Sequence, residues 1–388
     1  MLDFTFSLPT RILFGSGARS LLEQELGNHS ITRTLLVYGR GSVHQNGCHQ
    51  EITEILKTRR IPCVEHPNCG EDPDDRFVAA GTALALDCGA DFVIGLGGGS
   101  AIDAAKAIAL LAANKVPDIW EYRQRRAHFS VPALPLGVVL TTTGTGSEGN
   151  GGFVISRQLT DEKVAFTDLS TRPRFAYCNP NFTRTLPRAV LTDNHTDVLS
   201  HLLEQFFSMD ETPGIVDAMI LEAMDYLLRN AHALESWQDS YSTRANMMFA
   251  STISLSYLFS CGKKIPWILH HLAHALAAIR PISHGASLRI IIPGWLAWLA
   301  SQPAYGVRSN DLCKKLSVVQ PAELAAFFVD HFSSLSSQLH PQLSRSEKSR
   351  MVETLCADEA FLARAGLRKA DLRNIVDWTP NDVKCSPA

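Results

Sequence analysis

The sequence predicts a two-part protein, with a doubly wound α/β domain in its first half and an all-helical domain in its second half. In the first half, short apolar runs alternate with stretches of helical spacing, which is typical of parallel strands covered by helices. A proline-bounded segment at 180–187 ends this alternation, and nearly every later segment has helical spacing. We therefore expect an α/β domain over residues 1–184, a helical domain over residues 185–388 and a cleft between them.

The elements can be predicted in chain order from the spacing of apolar residues. Strands are expected at 35–38, 61–65, 92–94 and 138–140, and helices at 47–57, 74–87 and 101–113. Residues 137–167 are rich in Gly and Thr, and we expect loops and a hairpin there. Further helices are expected at 192–208, 215–236, 240–258 and 267–278. The most apolar run, 290–300, is interrupted by Pro293-Gly294 and predicts a buried helix.

The composition excludes several classes of protein. The 388 residues include 45% hydrophobic and 19% charged residues, as in ordinary globular domains. Lys and Arg number 36 against 39 Asp and Glu, so no basic field is available for a nucleic acid or an anionic membrane. The 9 cysteines occur singly, and the first residues have no basic segment followed by an apolar run. We expect a soluble cytoplasmic protein with reduced thiols.

A glycine-rich run follows the predicted strand at 92–94 and opens the next helix. Residues 95–106 are Gly-Leu-Gly-Gly-Gly-Ser-Ala-Ile-Asp-Ala-Ala-Lys. Bare backbone at a helix N-terminus offers N–H donors and a positive dipole to a phosphate. Ser100 and Asp103 have the spacing of a helix cap. Three consecutive glycines favour phosphate binding over a simple turn, although Ser100 replaces the last glycine of a strict dinucleotide fingerprint.

A second polar loop, Thr141-Thr142-Thr143-Gly144-Thr145-Gly146-Ser147-Glu148, follows the predicted strand at 138–140. Hydroxyls and glycines at a strand end suit a second contact surface for a polar ligand. A solvated Ser/Thr loop without a ligand is the alternative.

Histidines are concentrated in one part of the chain, with 7 of the 14 between residues 195 and 284. Asp197 and His201 have i, i+4 spacing on one predicted helix, and His270 and His274 repeat it on another. One carboxylate with several imidazoles is a typical ligand set for Zn²⁺ or Fe²⁺, whereas a lone buried histidine is more often a core residue.

Three other histidines of this region have different expected roles. His284 follows in a Ser-His-Gly turn, from which it could join the same metal site. His195 and His271 are directed away from the helix faces that carry the paired residues, so we expect structural roles for both.

Together these motifs resemble the iron-containing (group III) alcohol dehydrogenase family. The motifs, in the family's order, are Gly97-Gly98-Gly99-Ser100-x-x-Asp103-x-x-Lys106, Gly144-Thr145-Gly146-Ser147-Glu148, Asp197-x-x-x-His201-x-x-Glu204, and His270-x-x-x-His274 with His284-Gly285. The resemblance runs from about residue 10 to 298, and residues 9–15 are similar to the family's first β-hairpin. Residues 38–43 and 165–166 are most similar to the NADPH-dependent butanol dehydrogenase and aldehyde reductase branch.

The resemblance implies a Rossmann-like cofactor domain joined to a helical metal domain, which is the dehydroquinate synthase-like architecture. The metal ligands that it implies are Asp197, His201, His270 and His284. The cofactor contacts that it implies are Gly98, Gly99, Ser100, Asp103, Thr141, Thr142, Thr145 and Lys163. His274 is the candidate for relaying a proton, with a hydrogen-bonding role as the alternative. Asp72 and Arg280 depart from the family's usual residues.

The end of the strand at 35–38 bears on cofactor choice. NAD-selective sites usually place a carboxylate after the second strand, where it binds the ribose 2′-hydroxyl. This chain has Gly39-Arg40-Gly41-Ser42 there, without a carboxylate. Arg40 and Ser42 could bind a 2′-phosphate, so NADP(H) is expected, with NAD(H) possible; Arg40 directed into solvent is the alternative.

The resemblance therefore implies a homodimeric enzyme that interconverts an aldehyde and a primary alcohol, using NADP(H) and one Fe²⁺ or Zn²⁺ ion. A zinc-dependent glycerol dehydrogenase or a sugar-phosphate cyclase is an alternative. The cyclase needs Lys and Arg at a substrate phosphate, whereas residues 265–278 are apolar apart from their histidines. A catalytically silent nucleotide-binding relative is a third possibility, which the complete Asp/His set disfavours.

Overall fold

The structure is a computed structural model that describes residues 2–125, 131–157, 159, 162–209, 214–336 and 343–379. The chain divides into two compact units. The α/β unit comprises Ser7–Leu186 and Ser236–Tyr257, and the helical unit comprises Met1–Phe6, Pro187–Glu235 and Leu258–Ala388.

The secondary structure alternates between strands and helices up to residue 178 and is helical afterwards. The strands are β1 Arg11–Phe14, β2 Thr34–Tyr38, β3 Cys63–His66, β4 Phe92–Gly97, β5 Leu136–Leu140, β6 Gly152–Arg157, β7 Glu162–Thr167 and β8 Phe175–Cys178. The helices are α1 Arg19–Gly27, α2 Ser42–Gln45, α3 Cys48–Thr58, α4 Asp75–Cys88, α5 Gly99–Asn114, α6 Ile119–Arg125, α7 Arg188–Phe206, α8 Ile215–Arg229, α9 Tyr241–Ser254, α10 Ile268–Ala277, α11 His284–Ala300, α12 Gly306–Leu316, α13 Leu324–Leu335, α14 Arg345–Cys356, α15 Glu359–Ala365 and α16 Lys369–Asp377.

The α/β unit is built on six parallel strands in the order β1-β8-β5-β4-β2-β3. Side chains of one strand alternate between two buried clusters, one on each face of the sheet. In β2, Leu35 and Val37 enter one cluster, while Leu36 and Tyr38 enter the other. Burial on both faces is what a parallel sheet covered by helices requires. The predicted doubly wound fold is confirmed.

The hairpin expected within residues 137–167 is present as β6 and β7, which pair in an antiparallel sheet of their own. The hairpin expected at residues 9–15 is wrong. Only β1 forms there, and it pairs in parallel with β8 at the edge of the six-stranded sheet. Gly15, at φ +116°, then turns the chain towards α1, so it leaves the sheet instead of folding back.

One segment belongs to a different unit from the one that the sequence predicts. Residues 236–257, expected in the helical domain, belong to the α/β unit. The reason is that α9 is bonded to the loop after β5. The backbone N–H of Gly144 donates to Ser251 Oγ at 2.6 Å, and the Thr252 hydroxyl donates to Glu148 Oε1 at 2.6 Å.

The helical unit contains the helices that carry the clustered histidines. The apolar helix α11 continues through Pro293, and residues on both sides of this proline are buried. At Gly294 a Cβ atom would lie 2.2 Å from the carbonyl oxygen of Ile375, so α11 and α16 pack at close range. Among the described residues, no helix is long and apolar enough to cross a lipid bilayer. The 8 cysteines within the described ranges are free thiols.

Candidate functional site

The four predicted metal ligands come together in the helical unit. Asp197 and His201 lie one turn apart on α7, His270 lies on α10, and His284 is the first residue of α11. From Asp197 Oδ1, the Nε2 atoms of His201, His270 and His284 are 3.6, 3.8 and 3.5 Å away. A tetrahedral ion with bonds of about 2.1 Å separates its ligand atoms by roughly 3.4 Å. The spacing therefore suits a single first-row divalent ion.

Two atoms of this cluster also lack the hydrogen bonds that buried polar groups need. Asp197 Oδ1 and His270 Nε2 are buried and have no hydrogen-bond partner among the described residues. Buried polar atoms are nearly always paired, because an unpaired one destabilises the fold. Both atoms face the point that the other ligands surround, so the residues present fit a metal ion.

Glu204 orients one of the imidazoles, a role that the sequence analysis did not assign to it. The His270 Nδ1–H donates to Glu204 Oε2, and Glu204 Oε1 accepts the backbone N–H of Leu269 at 2.7 Å. This directs Nε2 of His270 at Asp197. Carboxylates commonly hold metal-binding histidines in this way. The available signal was the position of Glu204, one turn after His201 on the same face of α7.

The charges in the cluster favour a cation. Burial alone would raise the pKa of Asp197, but His201, His270 and His284 hold it well below its ordinary value. Burial lowers the pKa of His201 to about 3, so its imidazole is neutral. Burial would also lower the pKa of His270, yet Glu204 and Asp197 outweigh it and raise that pKa to about 10. A metal ion would therefore displace a proton from His270.

The start of α11 brings His284 to the cluster. The Ser283 side chain caps this helix by accepting the N–H of Ala286 at 3.3 Å, so His284 begins a helix where a free turn was expected. A Cβ atom on Gly285 would lie 2.5 Å from the Cα of Asp193 on α7. Only glycine permits this approach, which places His284 beside Asp197.

The remaining histidines separate into two groups. The His274 ring lies 5.4 Å from the His284 ring, so this candidate for proton relay is a neighbour of the cluster. His195 and His271 have partners of a structural kind, as expected. The Nε2 of His195 lies 3.0 Å from that of His331, and His271 donates from Nδ1 to the Trp267 carbonyl at 2.8 Å.

In the α/β unit, the glycine-rich run forms the turn between β4 and α5. Gly98 precedes the helix in an extended conformation, and α5 begins at Gly99. A Cβ atom on Gly98 would lie 3.2 Å from Thr142 Cγ2, and one on Gly99 would lie 2.7 Å from Thr145 Cγ2. The backbone N–H of Thr141 also donates to the Gly97 carbonyl at 2.9 Å. The structure thus brings the glycine run and the threonine loop into contact.

Asp103 and Lys106 support this arrangement from inside the unit. Asp103 accepts the Ser147 hydroxyl at 2.7 Å and the Val154 N–H at 2.9 Å, one with each carboxylate oxygen. Lys106 is fully buried, and its Nζ donates to the carbonyls of Ser147 and Gly152, both at 2.6 Å. Burial lowers the pKa of Lys106 to about 8. Asp103 thus uses both carboxylate oxygens to fix the loop that carries Ser147, and its direct contact with the cofactor stays a prediction.

The other predicted cofactor residues lie around the same edge of the sheet. The turn after β2 leads into α2, with Gly41 preceding the helix and Ser42 opening it. Arg40 and Ser42 are exposed, and the Gly39 carbonyl accepts the N–H of Asn68 at 3.1 Å. Since β2 and β4 are parallel neighbours, this turn and the glycine run share one edge. The Ser100 hydroxyl donates to the carbonyl of Glu71, and Lys163 is paired with Asp72.

The fold and the two sets of residues define a nicotinamide- and metal-dependent oxidoreductase. Family models agree with this class over most of the chain. The model for iron-containing alcohol dehydrogenase matches residues 9–180, and the model for the C-terminal part of the Fe-containing alcohol dehydrogenase family matches residues 192–373. The chain belongs to the iron-containing alcohol dehydrogenase family.

The chain is also similar to individual proteins of this family. NADH-dependent butanol dehydrogenase A of Clostridium acetobutylicum is 33% identical over 303 residues, which cover 77% of this chain and 76% of the relative. NADPH-dependent aldehyde reductase YqhD of Escherichia coli is 32% identical over 295 residues, which cover 76% of this chain and 75% of the relative. The crystal structure of an NADH-dependent butanol dehydrogenase A from Thermotoga maritima superposes with a TM-score of 0.88 at 26% identity, covering 97% of this chain and 98% of that one.

These comparisons confirm the family, the fold and the class of enzyme expected from the sequence. The chain is an alcohol dehydrogenase or aldehyde reductase that depends on a metal and a nicotinamide cofactor. The names of the relatives include both NADH- and NADPH-dependent enzymes.

Proposed function

We propose that this enzyme reversibly reduces an aldehyde to a primary alcohol, with the metal held by Asp197, His201, His270 and His284. The observation that carries the proposal is the meeting of three imidazole Nε2 atoms at 3.5 to 3.8 Å from a buried, unpaired oxygen of Asp197. Fe²⁺ and Zn²⁺ both accept this ligand set.

When bound, the ion acts as a Lewis acid on the carbonyl oxygen, and the nicotinamide supplies the hydride. The chain's own residues prepare the site for both. Asp197 provides the one negative charge among the ligands and leaves a net positive charge that favours an anionic oxygen. Glu204 holds His270 in the tautomer whose Nε2 can bind the ion. His274, beside His284, relays the proton that the alcohol oxygen gains.

For the cofactor, we propose a preference for NADPH over NADH. The turn 39–42 presents an exposed guanidinium and an exposed hydroxyl, from Arg40 and Ser42, at the end of β2. The turn contains no carboxylate that would repel a 2′-phosphate. A carboxylate on the next strand, Glu65, is already engaged by the Tyr38 hydroxyl at 2.5 Å and by His49 at 3.1 Å.

In the cofactor site, Gly98 and Gly99 offer backbone N–H groups at the start of α5 to the pyrophosphate. Thr141, Thr142 and Thr145 supply the facing hydroxyls, while Asp103 acts by fixing the loop that carries them. Ser100 and Lys163 lie at the same edge of the sheet and complete the proposed contacts.

We further propose that the enzyme is a homodimer. Leu2, Phe4, Phe6 and Leu8 are each about half exposed, at 47–54%, and they alternate with smaller or polar residues. Such a run of exposed apolar side chains is typical of an interface. Light scattering coupled to size exclusion should give twice the chain mass, and replacing Phe4 and Phe6 by Ser should shift the protein to monomer.

The function is tested by following NADPH and NADH oxidation over a series of aldehydes, with protein loaded separately with Fe²⁺ and Zn²⁺. Turnover of short aliphatic aldehydes that needs the metal supports the proposal. Turnover that is unaffected by removal of all metal contradicts it.

A further inference from the structure

The segment 278–283 connects the two helices that carry His270 and His284, so it sets the spacing between these two ligands. His284 is the most exposed of the four proposed ligands, with 29% of its side chain accessible against 17% for His270 and less for the other two. The ligand atoms of Asp197, His201 and His270 lie within 4.8 Å of one another, and His284 joins this group from the end of the segment. The ligand best able to detach is therefore the one that the segment carries.

Arg280 lies within this segment and is bound by Glu347 on α14. Its Nε donates to Oε1 at 2.8 Å and its Nη2 donates to Oε2 at 2.7 Å. Both side chains are less than one-fifth exposed, at 16% and 19%. A bidentate, partly buried pair of this kind is among the stronger ion pairs in proteins. Arg280 and Ser344 lower the pKa of Glu347 to about 2, so the pair stays charged at neutral pH.

Glu347 is itself held in place by the start of its helix. Its Oε2 accepts the Ser344 backbone N–H at 2.8 Å and the Ser344 hydroxyl at 2.7 Å. This reciprocal arrangement is a capping box, which fixes the carboxylate relative to α14. Since α14 also packs against α10, the Arg280–Glu347 pair connects the segment to a helix that contacts the one carrying His270.

We propose that the Arg280–Glu347 pair is a clamp that slows loss of the metal by fixing the segment that positions His284. Arg280 is in this sense a positioning residue, since its effect on the ion passes through His284. The inference rests on the proposed metal site and adds to it a role for the C-terminal helices, where the sequence offers no diagnostic motif.

The test measures the rate at which zinc-loaded enzyme gives up its ion to an excess of a chromogenic chelator. Arg280→Gln and Glu347→Gln each remove one charge of the clamp, and glutamine at 347 still completes the capping box. Each should release zinc about threefold to tenfold faster than wild type, and the double variant should be no faster than the faster single one. Arg280→Lys keeps the charge but loses the bidentate geometry, so its rate should be intermediate.

The residue after Glu347 provides a matched control. Lys348, on the same helix, is paired with Asp377 at 3.7 Å, and Lys348→Gln should leave the release rate unchanged. The dependence on His284 provides a second readout. In a His284→Ala background, Arg280→Gln should add nothing, whereas a general loosening of the unit would accelerate release there as well.

The clamp would be overturned if fully loaded Arg280→Gln and Glu347→Gln both release zinc at the wild-type rate. It would also be overturned if Arg280→Gln accelerates zinc release as much in the His284→Ala background as in wild type. Wild-type enzyme that retains no zinc on purification and reloading would overturn the metal site itself, which distinguishes the two failures.

Discussion

Gly285→Ala is expected to damage the metal centre without touching a ligand. The added Cβ would lie 2.5 Å from the Cα and 2.6 Å from the carbonyl oxygen of Asp193. Ordinary van der Waals contact begins at 3.4 Å, so the start of α11 must move away from α7 by about 0.9 Å (3.4 − 2.5). The obstacle is backbone, which cannot turn aside as a side chain could. His284, the preceding residue, would move with the helix.

The displacement exceeds what metal coordination tolerates, because ligand distances in such sites hold to about ±0.2 Å. Overpacking of this kind typically destabilises a protein by about 1–3 kcal/mol. We expect Gly285→Ala to lower metal affinity at least about tenfold while the protein remains folded. Metal content after dialysis against dilute chelator, measured by elemental analysis beside circular dichroism, provides the assay.

Gly306 is the matched control in the same unit, since a Cβ there would have no atom within 4 Å. Gly306→Ala should retain the wild-type metal content. Full occupancy and normal turnover in Gly285→Ala would refute the reasoning that the contact with Asp193 positions His284.

Three other predictions concern the proton, the cofactor and pH. If His274 relays the proton, His274→Phe should reduce kcat by about 10²-fold or more with little change in metal content, whereas normal turnover would assign it to packing. Arg40→Asp should shift the kcat/KM ratio of NADPH to NADH towards NADH by about tenfold to a hundredfold, and an unchanged ratio would exclude Arg40. The pKa of His270 in the metal-free enzyme is about 10, above the ordinary 6.5, so binding an ion releases its proton below pH 10. Metal affinity should therefore rise about tenfold per pH unit between pH 7 and 9, and Glu204→Gln should reduce this slope, as measured by competition with a chelator; a flat profile in wild type would contradict it.

Much of the α/β unit was predictable because its elements have strong local patterns. The strand at 35–38 is a continuous apolar run, and α5 is rich in alanine and begins at the glycines, so both were found within a few residues. Helix α1 has few apolar residues and buries only Leu22, Glu25 and Leu26, so its spacing gave little signal.

Features that depend on distant contacts could not be predicted in this way. The position of α9 depends on bonds to Gly144 and Glu148, which lie more than 100 residues earlier in the chain. The parallel pairing of β1 with β8 joins residues 11 and 175, whereas the resemblance of residues 9–15 to the family's first segment implied a local hairpin.

For the site, helical spacing identified Asp197, His201 and His270 because i, i+4 neighbours share a helix face whatever surrounds them. The role of Glu204 in orienting His270 depends on how α10 packs, and the clamp between Arg280 and Glu347 depends on how α14 packs. Neither packing arrangement has a local pattern in the sequence.

The central claim is that one divalent ion is held by the cluster around Asp197, and His270→Ala tests it most directly. We expect wild type to hold one equivalent of Fe²⁺ or Zn²⁺ per chain, and His270→Ala to retain less than about one-tenth of that and to lose nearly all turnover. His232→Ala, at an exposed histidine of the same unit, should match wild type. Full metal occupancy in a folded His270→Ala variant would contradict the account.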